Sequence, residues 1–466
     1  MKLKKHIPLS LFIANLLFTP TIYSAQQSNM PSNSTANIEN QNQASQVKPL
    51  TLPNPLTLPQ LLTDFSALSP SIKMQKAQLG SANAELNFNQ VGNNLEFNIE
   101  GRLGRREFAE ENLPHNLLAL HVGKVIYDFG RNDNQFESDS FKLEQAQVGL
   151  QNAENRQRLE VAKSYFNVLL ADFQFRIDNE AMAIDFINFD KVTDRHAIGQ
   201  LSDVDLLEAE HNYEKSLLQR SQSEQAQLKT RVALANTLGM PNARPDELKF
   251  PGLKTFDNRD LKEVSLEQLQ SYVLENNPQM QQWLLAAEAQ QKLLQKAQDV
   301  SKPSVRADAW VGQLSSQPEV REGRWKAQIS VDIPLYDGGL KQSSTAVAKS
   351  ELQKIQAQKQ QLAQNLRNQV ADIYFQLKLL AAEKKVNQAF GDYADLYLDY
   401  SRALYENESK TDLGDSFVRL SQANYNVVAW QFKQALLWME LDYLSGHNIS
   451  LENSQPFVVA KQKGNE

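Results

Sequence analysis

The residues of this chain best placed to do chemistry are carboxylates at regular spacing, and the chemistry open to them is electrostatic. Asp205 and Glu208 lie three apart and share a helix face. Asp392, Asp395 and Asp399 repeat at three and four, which suits a solvated face as well as the wall of a wet passage. A third set alternates with apolar residues: Glu96, Glu100 and Arg102, then Arg306 and Asp308, then Lys326 and Asp332. That is the period of strands with one wet face. The six histidines supply no catalytic or zinc signature: His-Glu-x-x-His is absent, and His115 and His121, the closest pair, fall in or beside a loop. A phosphate-binding glycine loop and a Gly-x-Ser-x-Gly elbow are absent too, so no cofactor, metal or catalytic residue is expected and the chain does not read as an enzyme.

The elements that carry these residues occur twice. Tyr127-Asp128-Phe129-Gly130 and Tyr336-Asp337-Gly338-Gly339 each end an alternating run, open a long helical stretch, and stand the same distance before Tyr165-Phe166 and Tyr374-Phe375. Upstream, Leu58, Gln60, Leu61 and Pro70 answer Leu266, Gln268, Leu269 and Pro278, and downstream Tyr213 answers Tyr425. Each copy begins with helical spacing broken before the proline, then two alternating runs, about 95–104 and 116–128 in the first and 304–313 and 325–336 in the second. Between the runs, 105–115 and 315–323 are polar and predict exposed loops.

Residues 130–197 and 339–407 then read as uninterrupted helices, each on the order of 100 Å at 1.5 Å per residue. Leu159, Ala162, Phe166, Leu169, Phe173 and Ile177, like Leu362, Leu366, Val370, Ile373, Leu377 and Leu380, step by threes and fours as coiled-coil seams do. The first helix reverses at 199–202 and returns over 203–238; the second reverses at 408–414 and returns over 415–444.

Lys2, Lys4 and Lys5, the apolar run from Ile7 to Phe18 and the small residues near Ser24-Ala25 predict a signal peptide over 1–25, cut after Ala25 or Ser24. A flexible Gln/Asn/Ser-rich arm (26–55) follows, then the first repeat (56–239), a linker (240–264), the second repeat (265–445) and a tail (446–466). The chain has no cysteine, which excludes disulfides, thiolate metal ligation and an acylated N-terminal cysteine. Beyond the signal no apolar run reaches the roughly 18 to 20 residues of a membrane-spanning helix. The charge of −7, dispersed along the helices, offers no basic stripe, so nucleic acid is not an expected partner.

A ten-residue strand covers roughly 33 Å and, tilted near 45°, the apolar height of an outer membrane. Four strands do not close a barrel, and an open edge in lipid leaves backbone groups unpaired, so several chains are expected to pool their strands. The apolar alternates then face lipid, with Trp325, Tyr127 and Tyr336 near the interfaces, and Glu96, Glu100, Arg102, Arg306, Asp308, Lys326 and Asp332 line a wet interior. The same pattern also suits a small soluble sheet capping a coiled coil, as in a periplasmic adaptor or structural protein, although no barrel or lipoyl-like domain interrupts either hairpin.

The doubled plan, the Tyr-Asp-Phe-Gly-Arg and Pro-Leu-Tyr-Asp-Gly-Gly junctions, and the run from Gly199 through Ser202, Asp203, Asp205 and Glu208 to Ala209 resemble the TolC-type outer-membrane efflux proteins over nearly the whole mature chain. The resemblance implies a mainly α chain with membrane β: long coiled-coil hairpins, plus four strands given to a twelve-stranded barrel shared by a homotrimer. It implies an outer-membrane location reaching into the periplasm, and docking to an inner-membrane transporter, ABC-type or proton-driven, through a periplasmic adaptor (membrane fusion protein). It also marks Gly199, Ser202, Asp205 and Glu208 as the periplasmic aperture, where three copies would form a ring of negative charge. Ser202 with Asp205 equally reads as a helix capping box, and both roles can coexist. At the second turn Thr411 stands where the glycine should be and Phe417 and Leu420 where the acids should be, so Asp412 and Asp415 are the substitutes, unless they cap the returning helix. The implied function is an exit channel for type I protein secretion or multidrug efflux, and the departure at the second turn favours secretion.

Overall fold

The computed structural model describes residues 52–65, 69–91, 94–108, 111–114, 117–257, 259–261, 264–313, 324–406, 413–449 and 451. The expected signal segment, most of the arm, Thr411, Asp412, the loop 315–323 and the tail from 452 lie outside them. The first copy runs α1 (Leu58–Gln60) and a π turn (Leu61–Phe65), α2 (Pro70–Val91), β1 (Glu96–Arg102), β2 (Arg105–Phe108), β3 (Glu111–Pro114), β4 (Leu117–Tyr127), α3 (Arg131–Ala197) and α4 (Asp203–Thr237). A connector with the single turn α5 (Lys254–Asp257) leads to α6 (Leu266–Asn276), α7 (Pro278–Gln298), β5 (Ser304–Gln313), β6 (Trp325–Asp332), α8 (Leu340–Glu406) and α9 (Gly414–Leu444). The architecture is mainly helical with a small antiparallel sheet, built twice.

The strand-to-helix junction explains the repeated motif. In the first copy the Asp128 carboxylate accepts from the backbone N–H of Gly130 (3.1 Å) and Asn132 (2.9 Å); in the second, Asp337 accepts from those of Gly339 (3.0 Å) and Lys341 (3.1 Å). The aspartate thus satisfies first-turn donors that have no intrahelical partner. Between it and the helix the chain takes two left-handed steps, Phe129 and Gly130 or Gly338 and Gly339. The proline break of the second copy works similarly: Asn277 caps α7 by accepting from Gln279 and Met280, and Pro278 sits in the first turn, where its missing N–H costs nothing.

Near the strands, α3 packs between α2 and α7, and α7 against α8; at the far end α3 packs between α4 and α9, and α9 against α8. At mid-length lies the main apolar cluster, including Val161, Phe166, Leu234, Leu269, Leu366, Val370, Phe432 and Met439, with Phe166 stacked on Phe432 at 4.4 Å. The repeated tyrosines bind the incoming segments: the Tyr165 hydroxyl shares its one proton between the carbonyls of Leu56 and Lys249, and Tyr374 donates to that of Val264. Burial raises the Tyr165 phenol above its ordinary pKa, so it remains a donor.

The four long strands form one antiparallel sheet in the order β1-β4-β5-β6, leaving β1 and β6 as edges. Two expectations are corrected. Segment 105–115 is not simply a loop, because β2 and β3 pair there from Arg105↔Pro114 to Phe108↔Glu111. β1 and β4 leave the sheet as antiparallel neighbours, so the chain beyond them stays within backbone hydrogen-bond reach, and polar side chains do not oppose that pairing. The last strand stops at Asp332 rather than Tyr336, since Pro334 has no N–H to continue a ladder.

Candidate channel lining and aperture

Residues paired across a ladder share a face, so the register decides what the sheet presents on each side. Glu96 stands opposite Gly123, Gly123 opposite Asp308 and Asp308 opposite Gln328; Arg306 is level with Ser330, Trp310 with Lys326, Ser304 with Asp332. With Glu100 and Arg102 on the same side of β1, the register puts Glu96, Glu100, Arg102, Arg306, Asp308, Lys326 and Asp332 on one face. Phe97, Ile99, Leu118, Leu120, Val311, Trp325, Ile329 and Val331 occupy the other, and all of them are exposed.

On the charged face the side chains form one connected network. Arg306 donates to Glu96 at 2.6 Å and to Asp308 at 2.9 Å, and His121 Nε2 lies 3.0 Å from the same Asp308 oxygen. The His121 ring stacks on Trp310 at 4.7 Å; the Trp310 indole N–H donates to Glu100 at 2.9 Å, and Glu100 also holds Arg102 at 2.6 Å. Lys326 stands over the Trp310 ring at 4.7 Å. The network ties β1, β4, β5 and β6 together through side chains, and Asp308 at its centre is only 8% exposed. Gly123 makes room for it, because a Cβ there would meet an Arg306 nitrogen at 2.4 Å and an Asp308 oxygen at 2.9 Å. His121, expected in or beside a loop, lies inside β4, and neither it nor Trp310 is singled out by the alternation; what identifies them is the cross-strand pairing of 121 with 310. Asp332 is exposed at the end of the sheet next to the helices.

At the first turn Gly199 takes φ +75°, and its N–H donates to the His196 carbonyl. Ser202 and Asp205 form a reciprocal capping box: Ser202 Oγ accepts from the Asp205 N–H at 3.3 Å, and Asp205 accepts from the Ser202 N–H at 2.9 Å and hydroxyl at 2.7 Å. These bonds, the side-chain one first, hold the Asp205 carboxyl below its ordinary pKa. His196 Nε2 reaches Asp203 across the turn at 2.7 Å. Glu208 is exposed, with no ion pair among the described residues. Asp205 is therefore engaged in closing a helix end, and Glu208 is the acid that stays unengaged.

At the second turn Asp415 accepts from Arg419 at 2.9 Å and from the Tyr397 hydroxyl at 3.3 Å. Gly414 lies against Ile184 of α3, so closely that a Cβ would meet Ile184 Cγ1 at 2.6 Å. Asp399 of the stripe on α8 faces Arg402 at 3.6 Å.

The family model for outer membrane efflux proteins matches residues 61–240 and 269–446, one stretch in each repeat. The chain belongs to that family. Family members are transport channels of the outer membrane that extend into the periplasm, and this location holds for the present chain. No curated protein matches it. Among solved structures, the Campylobacter jejuni CmeC outer membrane channel superposes with a TM-score of 0.68 at 14% identity, covering 85% of this chain and 87% of that one. The open state of the Neisseria gonorrhoeae MtrE outer membrane channel gives 0.66 at 17% identity, with 84% and 89% covered. The Vibrio cholerae outer membrane protein VceC gives 0.64 at 15%, with 84% and 96% covered. At these identities the likeness is one of fold.

Proposed function

We propose that three copies of this chain pool their sheets into one twelve-stranded barrel and serve as a passive exit duct. In this reading a periplasmic adaptor docks at the hairpin turns, and an inner-membrane transporter sets the direction of export. The observation that carries it is the two-faced sheet with open edges: β1 and β6 are each paired on one side only, one face is apolar and exposed, and the other is charged. In lipid such edges must be closed by another strand, and the edge that remains for β6 is the β1 of a second copy. The charged face then lines the lumen, and Gly199, Ser202, Asp205, Glu208 and Asp415, with Thr411 and Asp412, belong to the periplasmic aperture.

Native mass of detergent-purified protein, together with conductance in planar bilayers, tests this. A trimer that conducts supports it; a monomer soluble without detergent, or no conductance, sinks it. Bulky replacements at Gly199 and Thr411 that left export unchanged would remove the aperture from the reading. The cargo is read from a deletion strain: loss of one secreted protein with unchanged drug sensitivity marks type I secretion, which the departure at the second turn favours, and the converse marks multidrug efflux.

A further inference from the structure

Between α8, α9 and the connector carrying α5 lies a cavity of about 460 Å³, a size typical of small-molecule sites. Its wall is aromatic, with Tyr374, Trp430 and Trp438 lining it, and Trp430 is fixed by its indole N–H donating to the Leu380 carbonyl at 3.0 Å. Each ring carries a cation: Lys378 lies 4.3 Å from the Tyr374 centroid, Lys384 5.3 Å from that of Trp430, and Arg259 4.6 Å from that of Trp438. Arg259, its side chain 6% exposed, commits both terminal nitrogens to Asp442 at 2.7 and 2.6 Å, and no acceptor for its buried Nε–H lies among the described residues. Neither lysine forms a salt bridge among the described residues, and both are exposed on stems able to swing. The lining acids stand on the connector side, Asp257 exposed and Asp260 with an interaction of its own.

We propose that this cavity binds a small aromatic monoanion, its ring against Trp430 and Trp438 and its carboxylate or sulfonate taken by Lys378 and Lys384. The site lies away from the strands and from both hairpin turns, and it does not rest on the export reading.

The test uses the full chain, purified in its own assembly in a neutral detergent, with 4-bromobenzoate as the probe, because bromine quenches tryptophan emission at contact. 4-Bromobenzylamine, the same ring with the opposite charge, is the control. Saturable quenching by the anion is expected, at least about tenfold tighter than by the amine, and at least about tenfold weakened in the double variant Lys378→Glu/Lys384→Glu. Trp283, Trp310 and Trp325 respond alike in both proteins, so the difference between them reports this cavity. Both substituted residues are surface groups, and an unchanged helical circular dichroism spectrum confirms the variant's fold. Absence of saturable quenching, equal affinity for the two probes, or an unchanged affinity in the variant overturns the proposal; occlusion of the cavity by a neighbouring copy would give the first of these.

Discussion

Phe129 and Gly338 occupy the same left-handed step of the two strand-to-helix junctions, at φ +59° and +62°. The second copy uses the residue to which that conformation costs nothing, whereas the first places an aromatic there. The Phe129 ring recovers part of the strain, lying 4.8 Å from the Tyr127 ring with Lys302 5.9 Å from its centroid.

Strain and ring contact at Phe129 can be separated by substitution. Phe129→Gly removes about 1 kcal/mol of left-handed strain and about as much aromatic contact, so its unfolding free energy should lie near that of the parent. Phe129→Val keeps the strain, adds a branched Cβ and loses the ring, and should cost about 1–2 kcal/mol in denaturant unfolding. A neutral valine would show that the junction is not strained.

The capping box makes the start of α4 sensitive to acid. Because Asp205 titrates below its unfolded value of about 3.9, its contribution is complete above that pH and is lost as pH falls through the lower, folded pKa. The protection factors of the first-turn amides of α4, with the intrinsic pH dependence of exchange divided out, should therefore be flat from pH 7 to about 4 and fall below it. Ser202→Ala should raise exchange at every pH and remove most of the acid step. An acid step unchanged in that variant would assign it to another group.

Arg306 joins Glu96 on β1 to Asp308 on β5, and its removal leaves Asp308 facing His121 alone. Arg306→Met should lower the stability of the assembled protein by about 1–3 kcal/mol, towards the lower end because the arginine is one-third exposed. Asp308→Asn in the same chain should cost less than the sum of the two single changes, with a coupling of at least about 0.5 kcal/mol. Strict additivity, measured by heat dissociation of the purified assembly, would mean that the two side chains act independently.

Much of this was legible from two periods. Alternation at Glu96-Phe97-Asn98-Ile99 and Trp325-Lys326-Ala327 marks the strands because side-chain direction flips at every residue, and the steps of three and four around Phe166 and Val370 mark the packed helix faces. Information held by tertiary pairing was not legible. The β2–β3 hairpin forms from polar residues because its neighbours aim it, the role of His121 depends on which residue of β5 it faces, and nothing in the letter Phe at 129 reveals its φ. At Asp205 the sequence allowed two roles; the hydrogen bonds supply the capping role, and a charge at the aperture is compatible with it.

The approach of Gly414 to Ile184 gives the second hairpin a contact that composition does not reveal. α9 begins with its backbone against the α3 side chain, and Ser421 donates to Glu180 at 2.9 Å further along the same seam. A methyl group at 414 would overlap Ile184, so Gly414→Ala should cost about 1–3 kcal/mol or push the start of α9 away from α3. Ile184→Ala removes the atoms in the way, and on that background Gly414→Ala should be close to neutral. Helical melting of the four proteins decides the matter. Equal destabilisation by Gly414→Ala with and without Ile184 would mean that the contact does not set the position of the hairpin, whereas rescue would establish that close backbone packing joins the two helical hairpins of one chain next to the second turn.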